Sequence, residues 1–288
     1  MYCRNAVFLS TSSTIKCLHF NSRSTTKRNP FFYCRHLCDR DNHTVLADVI
    51  SKELRVLSML EEKRTYVHAL THEIINFLNI NRDKSIGTRL ALERLVAMDL
   101  SMNQIMDTPA VGTRHENVLS KAIKEINKPE LLGIAHALIR AKKYLAWRED
   151  NNNYYQHGDD VGKQYKTCNL HTLLIGPDAC GYYQPDFLLG IFILGPWTFY
   201  RDHRHAAPEL YLNLSEKSNW RLGTQDWQEY PAGSFVWNEA ESVHATQVYD
   251  EPFISVFIWL ENVMAPCVTF PVDDWTTIES NLRRKANS

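Results

Sequence analysis

In the first half of the chain, apolar residues recur at intervals of three and four. Leu46, Val49, Ile50, Leu54, Leu57 and Leu60 form one such stripe, and Ile74, Ile75, Phe77 and Leu78 extend it. This spacing predicts amphipathic helix, because side chains three and four apart share a helix face. A second helix is predicted over 87–99, through Leu90, Leu92, Leu95 and Val96, and a third over 117–126. Lys128-Pro129 ends the third helix. Pro129 suits the first position of a fourth, reaching about Trp147, because a proline's missing N–H is not needed there. Residues 151–165 open with three asparagines and contain two glycines, so they read as a polar linker. From about Thr167 the period shortens. Runs at 171–175, 187–194, 209–214, 234–237 and 253–259 are rich in Ile, Val, Phe, Tyr and Trp, and Gly-Pro, Pro-Ala-Gly and Glu-Pro separate several of them. Short strands at this spacing predict a sandwich or small barrel. Residues 275–285 fit a short amphipathic helix. The expected class is α+β: a helical region over 44–150, a barrel over 165–275 and a tail over 276–288.

Composition changes this picture at the N-terminus. The chain has 288 residues with a formal charge of -1, 44% apolar and 23% charged residues, as in folded globular proteins. Residues 1–38 hold six basic and no acidic residues, so the remaining 26 basic and 33 acidic residues give the body -7. Nine Ser or Thr lie between Ser10 and Thr26. Such a leader, over 1–43, reads as an organelle-targeting segment or an inert extension and contributes nothing to the fold argument. The expected compartment is the cytoplasm, with organelle targeting by the leader as the alternative. A Cys34-x3-Cys38 zinc site lacks a second ligand pair at finger spacing. The remaining cysteines, Cys168, Cys180 and Cys267, are odd in number and far apart, which suits a reducing compartment. The acidic body gives no basic surface for nucleic acid, and no apolar run reaches the length of a membrane-spanning helix.

Candidate chemistry concentrates between Gly195 and His244. Glu209 and Tyr211 are two apart, so on a strand they point to one face. His203 and His205 precede them, and Pro231-x-Gly233 and His244 follow. A neighbouring strand carrying His244 would complete a set of imidazoles and one carboxylate. That donor set suits one divalent ion of Zn, Fe, Mn, Ni or Co without choosing among them. A polar surface turn explains any one of these histidines alone, but not His-x-His-x3-Glu, Pro-x-Gly and a distal His together.

Those residues resemble the two motifs of the cupins, which implies a cupin β-barrel, or double-stranded β-helix. One departure is that Leu214-Ser215-Glu216-Lys217 stands where the first motif usually closes on a glycine. Tyr200, His203, Tyr211, Gly195-Pro196, Thr198 and the Tyr-Leu-x-Leu run beginning at Tyr211 narrow the resemblance to the cupin-type dimethylsulfoniopropionate lyases. It covers roughly residues 60–275. The resemblance implies His205, Glu209 and His244 as metal ligands, Tyr211 as a catalytic base and Tyr200 as a second active-site tyrosine. It makes His203 a further ligand or a substrate-side group. The implied substrate is dimethylsulfoniopropionate and the implied reaction is elimination to dimethyl sulfide and acrylate. A homodimer is compatible with this reading, and no nucleic-acid or membrane partner is expected.

The residue types suit that reaction. Dimethyl sulfide departs neutral, so no general acid is needed. The hard step is loss of a proton beside a carboxylate, where a divalent ion stabilises the growing charge. A phenol titrates near pH 10, and a nearby cation favours its deprotonated form. A sulfonium has no N–H donors, and aromatic faces bind such cations. Trp197, Phe199, Tyr200, Trp237 and Trp259 are candidates for that wall, although large aromatics also fill barrel cores. The rival readings are another metallocupin enzyme, an oxygenase or sugar isomerase, and a non-catalytic metal- or effector-binding cupin. His68-x3-His72 reads as an exposed or packed helix face. Its residue order is not His-Glu-x-x-His.

Overall fold

A computed structural model describes residues 5–11, 14–20, 42–150 and 154–288. The chain divides into two compact units, Met1–Val56 and Leu57–Ser288. In the first, β1 (Asn5–Thr11) pairs antiparallel with β2 (Thr14–Phe20). Cys34 and Cys38 lie outside the described residues, as does most of the expected leader.

The helical half begins with α1 (Asn42–Ile80), one continuous helix that holds both the apolar stripe from Leu46 and its extension to Leu78. It continues with α2 (Ile86–Val96), α3 (Glu116–Lys124) and α4 (Leu132–Ala141). The Ser85 hydroxyl caps α2 by accepting from the Gly87 N–H at 3.2 Å. Pro129 opens a single 3-10 turn before α4, and the fourth helix stops short of Trp147. The expected linker contains a short helix, α5 (Lys163–Thr167).

Two sheets follow. One has six strands in the order β10 (Phe235–Asn238), β7 (Glu209–Asn213), β12 (Phe253–Trp259), β5 (Leu188–Leu194), β3 (Asn169–Gly176) and β4 (Tyr182–Tyr183). The other has five, in the order β13 (Val268–Thr269), β6 (Phe199–Arg204), β11 (His244–Val248), β8 (Ser218–Leu222) and β9 (Gln228–Glu229). All pairings are antiparallel except β3 with β4. A last helix, α6 (Trp275–Ala286), packs against β6. Among the described residues, no helix is long and apolar enough to cross a membrane.

The near-continuous apolar runs of β5 and β12 follow from burial on both faces. Leu189, Ile191 and Ile193 of β5 join Ile254, Val256 and Ile258 of β12 in a core shared with helices α1 to α4. The alternate residues, Leu188, Phe192 and Leu194 with Phe253, Phe257 and Trp259, face the barrel interior. On β7 the same alternation sends Leu210 and Leu212 to the helices and Tyr211 inward. The unit Leu57–Ser288 is thus a helix-covered double-stranded β-helix, the cupin architecture, with helices preceding the barrel.

Candidate active site

Three strands and one turn deliver the polar cluster. Glu209 and Tyr211 stand on the inward face of β7, and the pairing of β7 with β12 sets Trp259 opposite Glu209. On β6 the inward residues are Tyr200 and His203, three apart. A bulge against β11 makes this spacing work: His203 pairs with His244 and Tyr200 with Thr246, so the register shifts between the two pairs. His205 sits in the turn after β6, which Pro208 closes.

One ligand atom from each of His203, His205 and His244 lies within 4.8 Å of the others, and all three rings are buried. Glu209 Oε2 is 3.1 Å from His205 Nε2 and 3.4 Å from His244 Nε2. Each histidine is oriented from behind. Nδ1 of His203 donates to the Arg201 carbonyl at 2.7 Å, that of His205 to Ala207 at 2.8 Å, and that of His244 to Ser242 at 3.0 Å. A carbonyl can only accept, so these bonds put a proton on Nδ1 and aim Nε2 at the cluster. His244 Nε2 is buried without a hydrogen bond. Convergent lone pairs with carbonyl support behind them fit a divalent cation, and three buried imidazoles beside one carboxylate are a suitable donor set. Trp259 completes the frame: its ring stacks on His205 with centroids 4.4 Å apart, and its Nε1 donates to Glu209 Oε1 at 2.7 Å.

A cavity of about 50 Å³ adjoins Glu209, room for a few waters. Its walls are largely aromatic, including Tyr154, Tyr165, Phe192, Tyr200, Tyr211 and Phe257. Tyr155 OH donates to Tyr200 OH at 2.5 Å, and the Tyr165 ring stacks on Tyr200 at 4.4 Å. Burial, then the Glu209 charge, push the Tyr211 phenol well above its ordinary range; burial, then Tyr211, do the same to Tyr200. Burial and the neighbouring His244 and His205 push His203 well below its usual value. Burial alone would raise Glu209, but His205 and His244 outweigh it and hold the carboxyl well below the usual range.

The sequence-derived set therefore divides. His203, His205, Glu209, Tyr211, Tyr200 and His244 come together, with His203 in the histidine cluster. Trp197 and Trp237 do not reach the cavity. Trp197 occupies a positive-φ turn and packs beside Phe199 and Leu282. Trp237 alternates outward on β10, abuts Gly87 of α2 and donates from Nε1 to Glu239 at 2.7 Å. Phe199 packs outside the barrel with α6, whereas Trp259 lines the cavity. His68 and His72 lie elsewhere, with His68 Nδ1 2.8 Å from Tyr182 OH. Sequence reasoning missed Asp150, Tyr154, Tyr155, Tyr165, His171 and Cys267. The available signal was three tyrosines inside the supposed linker.

Fold and site together define a cupin with a buried histidine cluster. A family model described as dimethylsulfoniopropionate lyase matches residues 91–255, more than half of the chain. The chain belongs to the dimethylsulfoniopropionate lyase family. It is 26% identical over 145 residues to the dimethylsulfoniopropionate lyase DddQ of Ruegeria pomeroyi, covering 50% of this chain and 71% of that protein. The crystal structure of DddQ from Ruegeria pomeroyi superimposes with a TM-score of 0.50 at 19% identity, over 70% of this chain and 95% of that one. A structure reported with the lyases RdDddP and RnDddQII gives 0.52 at 18% identity, over 68% and 93%. At these identities the structural likeness carries the fold alone.

Proposed function

We propose that the protein is a metal-dependent carbon–sulfur lyase that cleaves dimethylsulfoniopropionate to dimethyl sulfide and acrylate by β-elimination, with Tyr211 as base. Family membership supports the substrate. The observation that carries the mechanism is that Tyr211 and Tyr200 share one aromatic cavity with Glu209, beside the three histidines.

His205, Glu209 and His244, with His203 as a fourth donor, would hold one divalent ion of Zn, Fe, Mn, Ni or Co. Such an ion supplies Lewis-acid stabilisation of negative charge on the substrate carboxylate. The surrounding rings present π faces to the dimethylsulfonium. In the bare pocket, burial and the Glu209 carboxylate keep the Tyr211 phenol protonated, so its proton-accepting form depends on positive charge nearby. Tyr211 then takes the proton from the carbon next to the carboxylate. The C–H electron pair becomes the new C=C bond, and the C–S pair leaves with sulfur as neutral dimethyl sulfide. Tyr200, held by Tyr155 and stacked on Tyr165, positions the reacting end of the cavity. The barrel over 165–275 carries the metal donors and both catalytic tyrosines, and the helical residues from Val67 onward brace its outer sheet.

Purified protein supplied with divalent metal and dimethylsulfoniopropionate should release dimethyl sulfide, read by headspace gas chromatography. No signal with any divalent metal would refute the reading.

A further inference from the structure

The cavity beside the histidines carries a charge that the ligand set does not need. Besides Glu209, one other carboxylate lines it: Asp150, 3% exposed. No Lys or Arg is among the described lining residues. Asp150 is held rigidly. Its N–H donates to Asn169 Oδ1 at 2.6 Å, Asn169 Nδ2 donates back to the Asp150 carbonyl at 3.2 Å, and Tyr165 OH donates to Asp150 Oδ2 at 3.0 Å. The Tyr165 ring lies nearly parallel to Tyr200, 4.4 Å away and 11° apart, and Tyr200 lies 4.2 Å from His203. Asp150 thus holds the hydroxyl edge of the first of two stacked rings, and the second of these rings lies against His203. The Asp150 charge reaches the cavity: after burial, it is the next cause that pushes the Tyr154 phenol up to about 12, with Arg148 opposing it.

This arrangement suits an onium group. A cation without N–H donors cannot be held by directional hydrogen bonds, so it depends on ring faces and net charge. A phenol that donates to a carboxylate gains electron density in its ring, and polarised hydrogen-bond chains of this kind strengthen one another. Asp150 therefore acts both directly and through Tyr165. We propose that Asp150 is the specificity-determining counter-charge for the cationic end of the substrate. The assignment rests on the reading of this site as one acting on a sulfonium carboxylate.

The test compares two competitors that share a carboxylate, measured by titration calorimetry on metal-loaded protein. One is 3-(trimethylammonio)propanoate, a permanent cation without N–H; the other is 4,4-dimethylpentanoate, its carbon counterpart without that positive charge. The native protein should prefer the cation by about 10- to 100-fold, the usual scale for one partly buried charge contact. Asp150→Asn should reduce that preference to about threefold or less, and should raise KM for dimethylsulfoniopropionate while leaving kcat within about threefold. Asp150→Glu should retain most of the preference. Folded Asp150→Asn protein with the full preference would overturn the proposal. If Asp150→Asn does not fold, Tyr165→Phe decides: it should weaken the preference, and an unchanged preference overturns the proposal. Loss of the preference in a protein that releases no dimethyl sulfide would overturn the lyase reading and uphold Asp150 as an onium counter-charge.

Discussion

Glu209 and Tyr211 are two residues apart on one strand, yet their expected losses on substitution differ. Glu209 touches His205 and His244 directly, so Glu209→Ala and His205→Ala should each lose bound metal together with activity. Tyr211→Phe removes one hydroxyl from a wall of the cavity and leaves all four donors in place. It should retain most of the metal, measured by atomic emission, and lose turnover by about 100-fold or more, the usual contribution of a general base. Near-normal turnover in Tyr211→Phe would remove its role as base. This part of the site was legible in the sequence because strand alternation alone places residues two apart on one face. The pairing of Tyr200 with His203 was not, since three residues on a regular strand fall on opposite faces. Only the bulge against β11 brings both inward. Asp150, Tyr154 and Tyr165 were hidden for another reason. They reach the cavity through contacts with distant strands, and the Asn-rich stretch around the tyrosines looks like solvent-exposed loop.

At the scale of elements, β5 and β12 stood out because each is buried on both faces and reads as an unbroken apolar run. β6 did not stand out as a strand: its outward residues Arg201 and Asp202 are charged and satisfied by partners far away in sequence. β3 carries the element's most consequential polar residue, His171, which shares the cavity wall with Tyr154 and lies 3.0 Å from its hydroxyl. Burial, aided by Arg148, lowers His171 to about 4 from an ordinary 6.5. Between those values the unfolded chain binds a proton that the folded one does not. Stability must therefore fall as pH drops through that window and be fully present above it. From pH 7 to pH 5 this single group should cost about 2 kcal/mol. His171→Gln keeps a partner for Tyr154 and removes the titration. Urea unfolding at the two pH values should show the native protein losing about 2 kcal/mol more than the variant. Equal losses would show that His171 does not contribute the slope.

At the scale of the whole unit from Leu57 to Ser288, the C-terminal helix completes the outer side of the site. The sequence suggested a short amphipathic helix there but gave no sign of what it grips. Arg201 pairs with Glu279 of α6 at 2.6 Å and with Asp160 at 2.7 Å, while its own carbonyl holds His203 Nδ1. The fully buried Asp202 accepts from Trp275 Nε1 at 2.7 Å and from Arg221, and Arg221 also reaches Asp274 at 2.5 Å. One helix thus fastens the strand that presents Tyr200 and His203, and Arg201 ties the segment after Tyr155 to the same point. Deleting 275–288 removes Glu279 and Trp275 and leaves Arg201 and Asp202 short of partners they were folded around. Removing one side of a largely buried pair costs about 3–5 kcal/mol, whereas replacing both sides with apolar residues of similar size is often neutral. The truncated protein should therefore melt at lower temperature and bind metal more weakly, because β6 is less firmly held. The double variant Arg201→Met, Glu279→Met should keep the native melting temperature and metal affinity to a much greater degree. Chelator competition and thermal melting read the two effects separately. A truncated protein that is destabilised but keeps full metal affinity would mean that α6 only adds stability and does not position the histidines.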